Sequence, residues 1–207
     1  MFISFEGIDF SGKSTQIKLL GNYLLEQNKK VKVIREPGGT EISEEIRSTL
    51  LSNKHKSMFM ETEILLFSAS RAQLVREKIR AYIEEGIYVI SDRFFDSTTA
   101  YQGYGRGISI ESVNHINNLA VGDTIPDITF FIDIPASVAS ERKAGEHKSL
   151  DRIENSDNDF FDRVRRGYLE ISKREKRFRI INGMKKINEI HNDILKEILT
   201  FEEKKKI

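Results

Sequence analysis

Apolar residues along the chain fall into two alternating kinds of run. Short stretches rich in Ile, Val and Phe occur at residues 2–5, 31–34, 87–91, 128–132 and 178–181. They mostly lack the polar–apolar alternation of a half-exposed strand, so they read as strands buried on both faces. Between them, apolar residues recur at helical spacing. Residues 13–27 place Ile17, Leu20, Leu24 and Leu25 on one stripe. Residues 62–84 carry Ile64, Leu65, Phe67, Leu74, Ile79 and Ile83, and residues 110–120, 136–143, 159–173 and 187–199 complete the helical set. Strand alternating with helix predicts an α/β fold built on a parallel sheet flanked by helices. Ligands then bind beyond the carboxyl ends of the strands.

Two stretches depart from this pattern. Residues 96–107 are rich in Tyr, Gly and Thr and read as a binding loop. Residues 143–158 are charged and lie between two helices, which predicts a mobile flap. The charged tail, 202–207, is expected to fray. The length, 207 residues, suits a single domain.

Gly7-Ile8-Asp9-Phe10-Ser11-Gly12-Lys13-Ser14, followed by Thr15, matches G-x-x-x-x-G-K-[ST]. It follows the first strand-like run and opens the first helix, the context a phosphate-binding loop requires. Gly7 and Gly12 let the backbone turn and aim its N–H groups inward, and the helix start adds partial positive charge. Lys13, at an exposed helix start, reaches the β- and γ-phosphates of a nucleoside triphosphate, and the Ser14 hydroxyl suits Mg²⁺. No N-K-x-D base reader occurs, which disfavours a guanine-nucleotide switch.

The third apolar run leads directly into Asp92-Arg93. A carboxylate at a strand end beside the phosphate loop is placed to hold Mg²⁺, directly or through water. Arg93 can grip a phosphate bidentately. Arg35, in Arg35-Glu36-Pro37-Gly38-Gly39-Thr40, ends the second run at the same edge. Arg47 follows on a helix, with a solvated and a functional reading equally open. From the residues alone, Phe67 reads as core and Arg71 as solvated.

The composition bears on chemistry by exclusion. Hydrophobic residues make up 39% and charged residues 31%, with a net charge of +1, so no global basic field points to nucleic acid. There are no cysteines, and the four histidines show no metal-ligand spacing. No signal peptide or membrane-spanning run is evident, which points to the cytoplasm.

Several motifs resemble the thymidylate kinase family. They are F-E-G-I-D-x-S-G-K-S, R-E-P-G-G-T with E-E-I-R, F-S-A-S-R, D-R-F-x-D-S-x-x-A-Y-Q-G, P-D-x-x-F-x-I-D and L-D-R-I-E, in family order from Phe5 to about Gly183. The resemblance implies a five-stranded parallel sheet flanked by helices, as one P-loop kinase domain over 1–207. A short lid would lie at about 142–155, and the chain would be a homodimer with no nucleic-acid or membrane partner. The implied reaction moves the γ-phosphoryl group of ATP, as co-substrate with Mg²⁺, to dTMP, giving dTDP and ADP toward dTTP.

The resemblance also implies roles. Residues Gly7 to Thr15 would hold the ATP phosphates. Lys13, Asp9, Asp92, Arg93 and Arg142 would be catalytic, and Ser14 and Asp92 would hold the metal. Phe67 would stack on thymine, Arg71 would donate to its O4, and Gln102 would read N3–H or O4. Tyr101 would lie under the deoxyribose and Thr98 near the base. Asp9 would approach the 3′-hydroxyl, and Arg35 and Arg93 would clamp the monophosphate. Arg177, Asn182 and Gly183 would lie near the adenine, while Asp133 reads as structural. Phe10 stands where one branch of the family has a basic residue, so a lid cation is expected instead. Arg142 is favoured, then Lys148 and Lys143, with Arg152 pairing with Asp151 or Glu154.

Overall fold

Strand β1 (Phe2–Glu6) is buried along its whole length and forms the middle of a parallel sheet. The computed structural model describes residues 1–145 and 150–204. Within them, β2 (Val31–Arg35), β3 (Tyr88–Asp92), β4 (Ile128–Asp133) and β5 (Phe178–Asn182) complete a five-stranded sheet ordered β2-β3-β1-β4-β5. Strand order reverses around β1, so its carboxyl end opens at the crevice where ligands of such sheets bind. The register sets Phe5 beside Asp92 and Phe130, bringing the acid at the end of β3 alongside the loop that follows β1.

The helices are α1 (Lys13–Glu26), α2 (Glu41–Leu51), α3 (Met60–Leu74), α4 (Arg80–Glu84), α5 (Phe95–Thr98), α6 (Ile110–Val121), α7 (Ala136–Ala144), α8 (Asn158–Arg174) and α9 (Ile187–Lys204). Ile3 and Phe5 of β1 face α1 and α9, packing with Leu20, Leu24, Ile190 and Ile194. Phe2 points the other way, against Leu74, Val75 and Ile79. On that same side Phe131 meets Tyr168 and Val164 of α8. Alternate residues of one strand thus anchor opposite layers.

Burial on both faces holds for β1 and β4 but not at the sheet's edges. Val33 of β2 is 55% exposed and Ile180 of β5 54%. An edge strand is covered less completely than a central one, and a short apolar run carries no mark of its place in the sheet.

Residues 96–107 are not a loop. Helix α5 runs into a π-helical stretch, Thr99–Gly105, that packs against α8. The glycines that suggested a loop permit close approach: a Cβ on Gly105 would lie 2.7 Å from the Phe160 ring. The long helix expected over 62–84 is present but also contains a π stretch, Val75–Ile79, between α3 and α4.

The flap expected over 143–158 is folded where it is described. From residue 150 on, Asp151 Oδ1 accepts the Ile153 and Glu154 amides, each at 2.8 Å. Glu154 reaches back to the Asp151 amide at 2.9 Å, a reciprocal capping box. Ile153 is buried. At the chain's end, α9 continues to Lys204, and Tyr88 donates to Glu202 at 2.6 Å, so the helix does not fray at 202.

Candidate functional site

A cavity of about 770 Å³ opens at the carboxyl end of β1. The loop after β1 forms one wall, from Asp9 to Gln16. Phe67, Arg71, Thr98, Tyr101 and Gln102 form the opposite wall. Asp92 and Arg93 lie between them, and Arg35 and Arg47 close one side.

Gly7 has φ +143°, and a Cβ there would lie 2.7 Å from the Ile132 carbonyl oxygen. That close approach is why the loop begins with glycine. Ile8 does not line the cavity; its side chain joins the core, and the loop uses its backbone. Lys13 is not exposed. It is 6% accessible, because the loop wraps over it, and its ammonium donates to the carbonyls of Gly7 (3.1 Å) and Ile8 (2.9 Å).

Burial and the nearby Arg93 charge push the Lys13 ammonium down to about 8, although Asp9, Asp92 and Glu6 pull it upward. A bound polyphosphate would raise it again, so binding above that pH requires proton uptake. ATP affinity should therefore fall as pH rises above about 8, with proton uptake visible by calorimetry in buffers of different ionisation enthalpy. Affinity constant between pH 7 and about 9.5 would contradict this.

Arg93 follows β3 in the left-handed region, at φ +69°. A non-glycine residue there is uncommon and costs about 1 kcal/mol or more. The conformation is held by its surroundings. Its guanidinium donates to Asp9 Oδ1 (2.6 Å), the Tyr101 hydroxyl (3.0 Å) and the Gly7 carbonyl (2.8 Å). Tyr101 in turn donates to Asp9 Oδ2 at 2.9 Å. Burial alone would raise the Asp9 carboxyl, but Arg93 and Lys13 hold it below its ordinary value. Behind Arg93, the buried Glu6 accepts the Phe94 amide (2.7 Å), Ser97 Oγ (2.6 Å) and the Tyr168 hydroxyl (2.8 Å). Burial first, and Asp96 second, push the Glu6 carboxyl up to about 7.

On the facing wall, Arg71 is 2% exposed, not solvated. Its Nε donates to Glu36 at 2.6 Å, and its two terminal nitrogens to Thr98 Oγ1 (2.9 Å) and the Phe94 carbonyl (3.3 Å). Three of the five guanidinium hydrogens are thereby used, and two remain for a ligand. Thr98 thus braces Arg71 through its hydroxyl. Phe67, half-buried, sits one turn before Arg71 on α3. Gln102 is 2% exposed, and its amide nitrogen donates to Glu63 at 2.9 Å.

Ser14 Oγ donates to Asp92 Oδ2 at 3.2 Å, with both residues on the cavity wall. One carboxylate and one hydroxyl beside a phosphate site match the hard-oxygen donors that Mg²⁺ takes when phosphates supply the rest. Arg35 lies 3.0 Å from both Glu44 carboxylate oxygens, and Arg47 donates to the Pro37 carbonyl at 2.8 Å. Both reach the cavity edge.

The cations expected of a lid differ in where their side chains go. Arg142 lines the cavity and donates to the carbonyls of Phe10 and Gly183, each at 3.1 Å. Lys143 instead donates to the Glu154 carbonyl. Arg152 pairs with Glu63 at 2.6 Å, not with Asp151 or Glu154, and donates to the Leu50 carbonyl. Lys148 lies outside the described residues. Of the expected adenine neighbours, Gly183 lines the cavity, whereas Arg177 is turned inward onto Asp96 at 2.6 and 2.8 Å. Asn182 accepts the Met184 amide, and Asp133 pairs with Arg165 at 2.7 Å.

Residues 5–194 match the family model described as thymidylate kinase. The chain belongs to the thymidylate kinase family. It is 51% identical over 200 residues to a thymidylate kinase of Kosmotoga olearia, covering 96% of this chain and 95% of that one. It is 48% identical over 194 residues to one of Thermosipho africanus, with 94% and 95% covered. Among solved structures, a crystal structure of thymidylate kinase from Ehrlichia chaffeensis superposes with a TM-score of 0.77. Its identity is 37%, with 96% of this chain and 98% of that chain covered.

Sequence reasoning passed over Glu6, Glu36 and Glu63, although each was open to detection. Glu6 is a carboxylate in an otherwise apolar buried strand. Glu63 stands four residues before Phe67 and eight before Arg71, on the helix face that meets the cavity.

Proposed function

We propose that the cavity seats dTMP against Phe67, Arg71 and Gln102, with ATP on the loop wall, so that the γ-phosphoryl group lies between Lys13 and Arg93. The reaction is the family's: the chain transfers the γ-phosphoryl group of ATP to dTMP, giving dTDP and ADP. The observation that carries the residue assignment is a shared cavity. The phosphate loop forms one wall, and an aromatic ring, a half-committed guanidinium and an oriented amide form the other.

Phosphoryl transfer of this kind depends on positioning and charge neutralisation more than on covalent chemistry. Lys13 meets the β- and γ-phosphates, leaving the loop carbonyls it holds without ligand. Arg93 and Arg35 hold the accepting monophosphate, with Arg93 aimed by Asp9 and Tyr101. Asp9 also faces the 3′-hydroxyl. Ser14 and Asp92 would hold Mg²⁺, which supplies positive charge along the triphosphate when bound. Arg142 is the lid cation, and it braces the loop through Phe10. We read 1–207 as one kinase domain with a lid over about 142–155.

Arg71 donors suit O4 of thymine or uracil and oppose the amino group of cytosine. Uracil lacks only the methyl group, worth about 1–3 kcal/mol. The expected order of kcat/KM is dTMP, then dUMP, then dCMP well behind, measured by coupled ADP release. A preference for dCMP would overturn the base assignment.

We also propose a homodimer. Leu65 of α3 and Leu119 of α6 are 57% and 80% exposed on helices packed side by side. Apolar exposure on adjacent helices suits a second copy. Sedimentation at micromolar concentration should give twice 23.9 kDa, and Leu119→Glu should shift it to the monomer. A wild-type chain that sediments as a monomer would end this proposal.

A further inference from the structure

An amide can read a base edge only if its two ends are told apart. Thymine carries a hydrogen on N3, whereas cytosine carries a lone pair there. A glutamine presenting its oxygen suits the first, and one presenting its nitrogen suits the second. The two orientations differ by a half-turn and have nearly the same shape. Something outside the base pocket must choose between them.

In this chain Gln102 meets Glu63, which lies on α3 and is 1% exposed. Gln102 Nε2 donates to Glu63 Oε1 at 2.9 Å. An ionised carboxylate only accepts, so the nitrogen end of the amide must face it. Gln102 lines the cavity, and among the described residues its Oε1 takes part in no hydrogen bond. Glu63 is itself fixed, with Arg106 Nε at 3.2 Å from Oε1 and the Arg152 guanidinium at 2.6 Å from Oε2. Burial pushes its carboxyl upward. Arg106, the Gln102 amide and Arg152 outweigh that and hold it below its ordinary value. At neutral pH Glu63 therefore stays an acceptor.

We propose that Glu63 is a positioning residue for base selection: it fixes the Gln102 amide with its oxygen toward the pocket, so that the site takes a pyrimidine bearing N3–H. It does so without touching the substrate. The proposal rests on the reading that places the dTMP base at Gln102. In Glu63→Gln, the one remaining oxygen is expected at the Oε2 position, where Arg152 lies at 2.6 Å and Arg106 Nη2 reaches to 3.5 Å. The new amide nitrogen then faces Gln102, which must answer with Oε1, so its Nε2 turns to the pocket.

The test measures kcat/KM for dTMP and dCMP in wild type, Glu63→Gln, Gln102→Ala and the double variant. The dTMP:dCMP ratio is expected to fall at least about tenfold in Glu63→Gln, with KM for ATP within about twofold of wild type. In the Gln102→Ala background the same change should move the ratio by less than about twofold, because the group it acts through is gone. An unchanged ratio in folded Glu63→Gln overturns the proposal. So does an equal shift in both backgrounds, which marks a merely structural role.

Should Glu63→Gln fail to fold, a crystal structure of the unaltered protein with dTMP tests the same point. Gln102 Oε1 at hydrogen-bond distance from N3, with Nε2 on Glu63, is the expected result. A Gln102 turned off the base, or parted from Glu63, overturns it. A wild type that prefers dCMP removes the underlying base assignment as well. A wild type that prefers dTMP beside an unaffected Glu63→Gln removes the Glu63 proposal alone.

Discussion

Replacing Lys13 by alanine is expected to lower kcat at least about 10³-fold, equivalent to about 4 kcal/mol of transition-state stabilisation. The reason is geometric. Lys13 is buried under the loop, and its ammonium is held on the Gly7 and Ile8 carbonyls, at the position from which it meets incoming phosphates. In a site shielded from water, a charge aimed at the transferring group is worth more than the same charge in solvent. The helix itself should persist, since Leu20, Leu24 and Ile17 anchor α1 independently of Lys13. Circular dichroism would establish folding and steady-state kinetics the loss. A folded variant with kcat within about tenfold of wild type would rule out this role for the loop lysine.

Much of the frame was legible because it depends on local pattern. The five apolar runs became the five strands, and the phosphate loop lay where a strand meets a helix. What was not legible depends on partners far away in the chain. Arg71 reads as solvated until Glu36, Thr98 and Phe94 surround it. Residues 96–107 read as a loop because glycine and tyrosine crowd there, yet Gly105 makes room for α8, more than fifty residues on, and Gly103 for α6. Lys13 looks exposed as the first residue of a helix, and only the path of the loop covers it. Arg152 was expected to pair with its neighbours, but a capping box uses Asp151 and Glu154 on their own turn, leaving Arg152 to Glu63. The site residues that were found stand in contiguous motifs. Those missed are carboxylates, two of them inside the same motifs, whose partners Arg71, Gln102, Ser97 and Tyr168 lie far along the chain.

Arg93→Ala should damage both catalysis and stability, and the two losses can be separated. The guanidinium is the only group seen to bridge Asp9, Tyr101 and the Gly7 carbonyl among the described residues. Under the proposed assignment the accepting phosphate loses the positive charge aimed at it, and kcat/KM for dTMP should fall about 10³-fold. Arg93→Lys keeps the charge but loses the fork, so a fall of about 10²-fold is expected there. Stability should drop as well, because Asp9 is left mostly buried without its paired guanidinium, with only the Lys13 charge near it. Side-chain exposures of 16% and 22% argue for a cost below that of a fully enclosed pair, about 2 kcal/mol or near 5 °C in melting midpoint. The sign of its pH dependence follows from Asp9, whose carboxyl is held below its ordinary value in the folded protein. That contribution is fully present above the unfolded carboxyl pKa and is lost as pH falls through the folded one. Wild type and Arg93→Ala should therefore melt furthest apart near neutral pH and converge in acid, below about pH 4. Thermal melts from pH 3 to 7 test this: a constant gap across that range would mean that the Asp9 pair is not what Arg93 contributes to the fold.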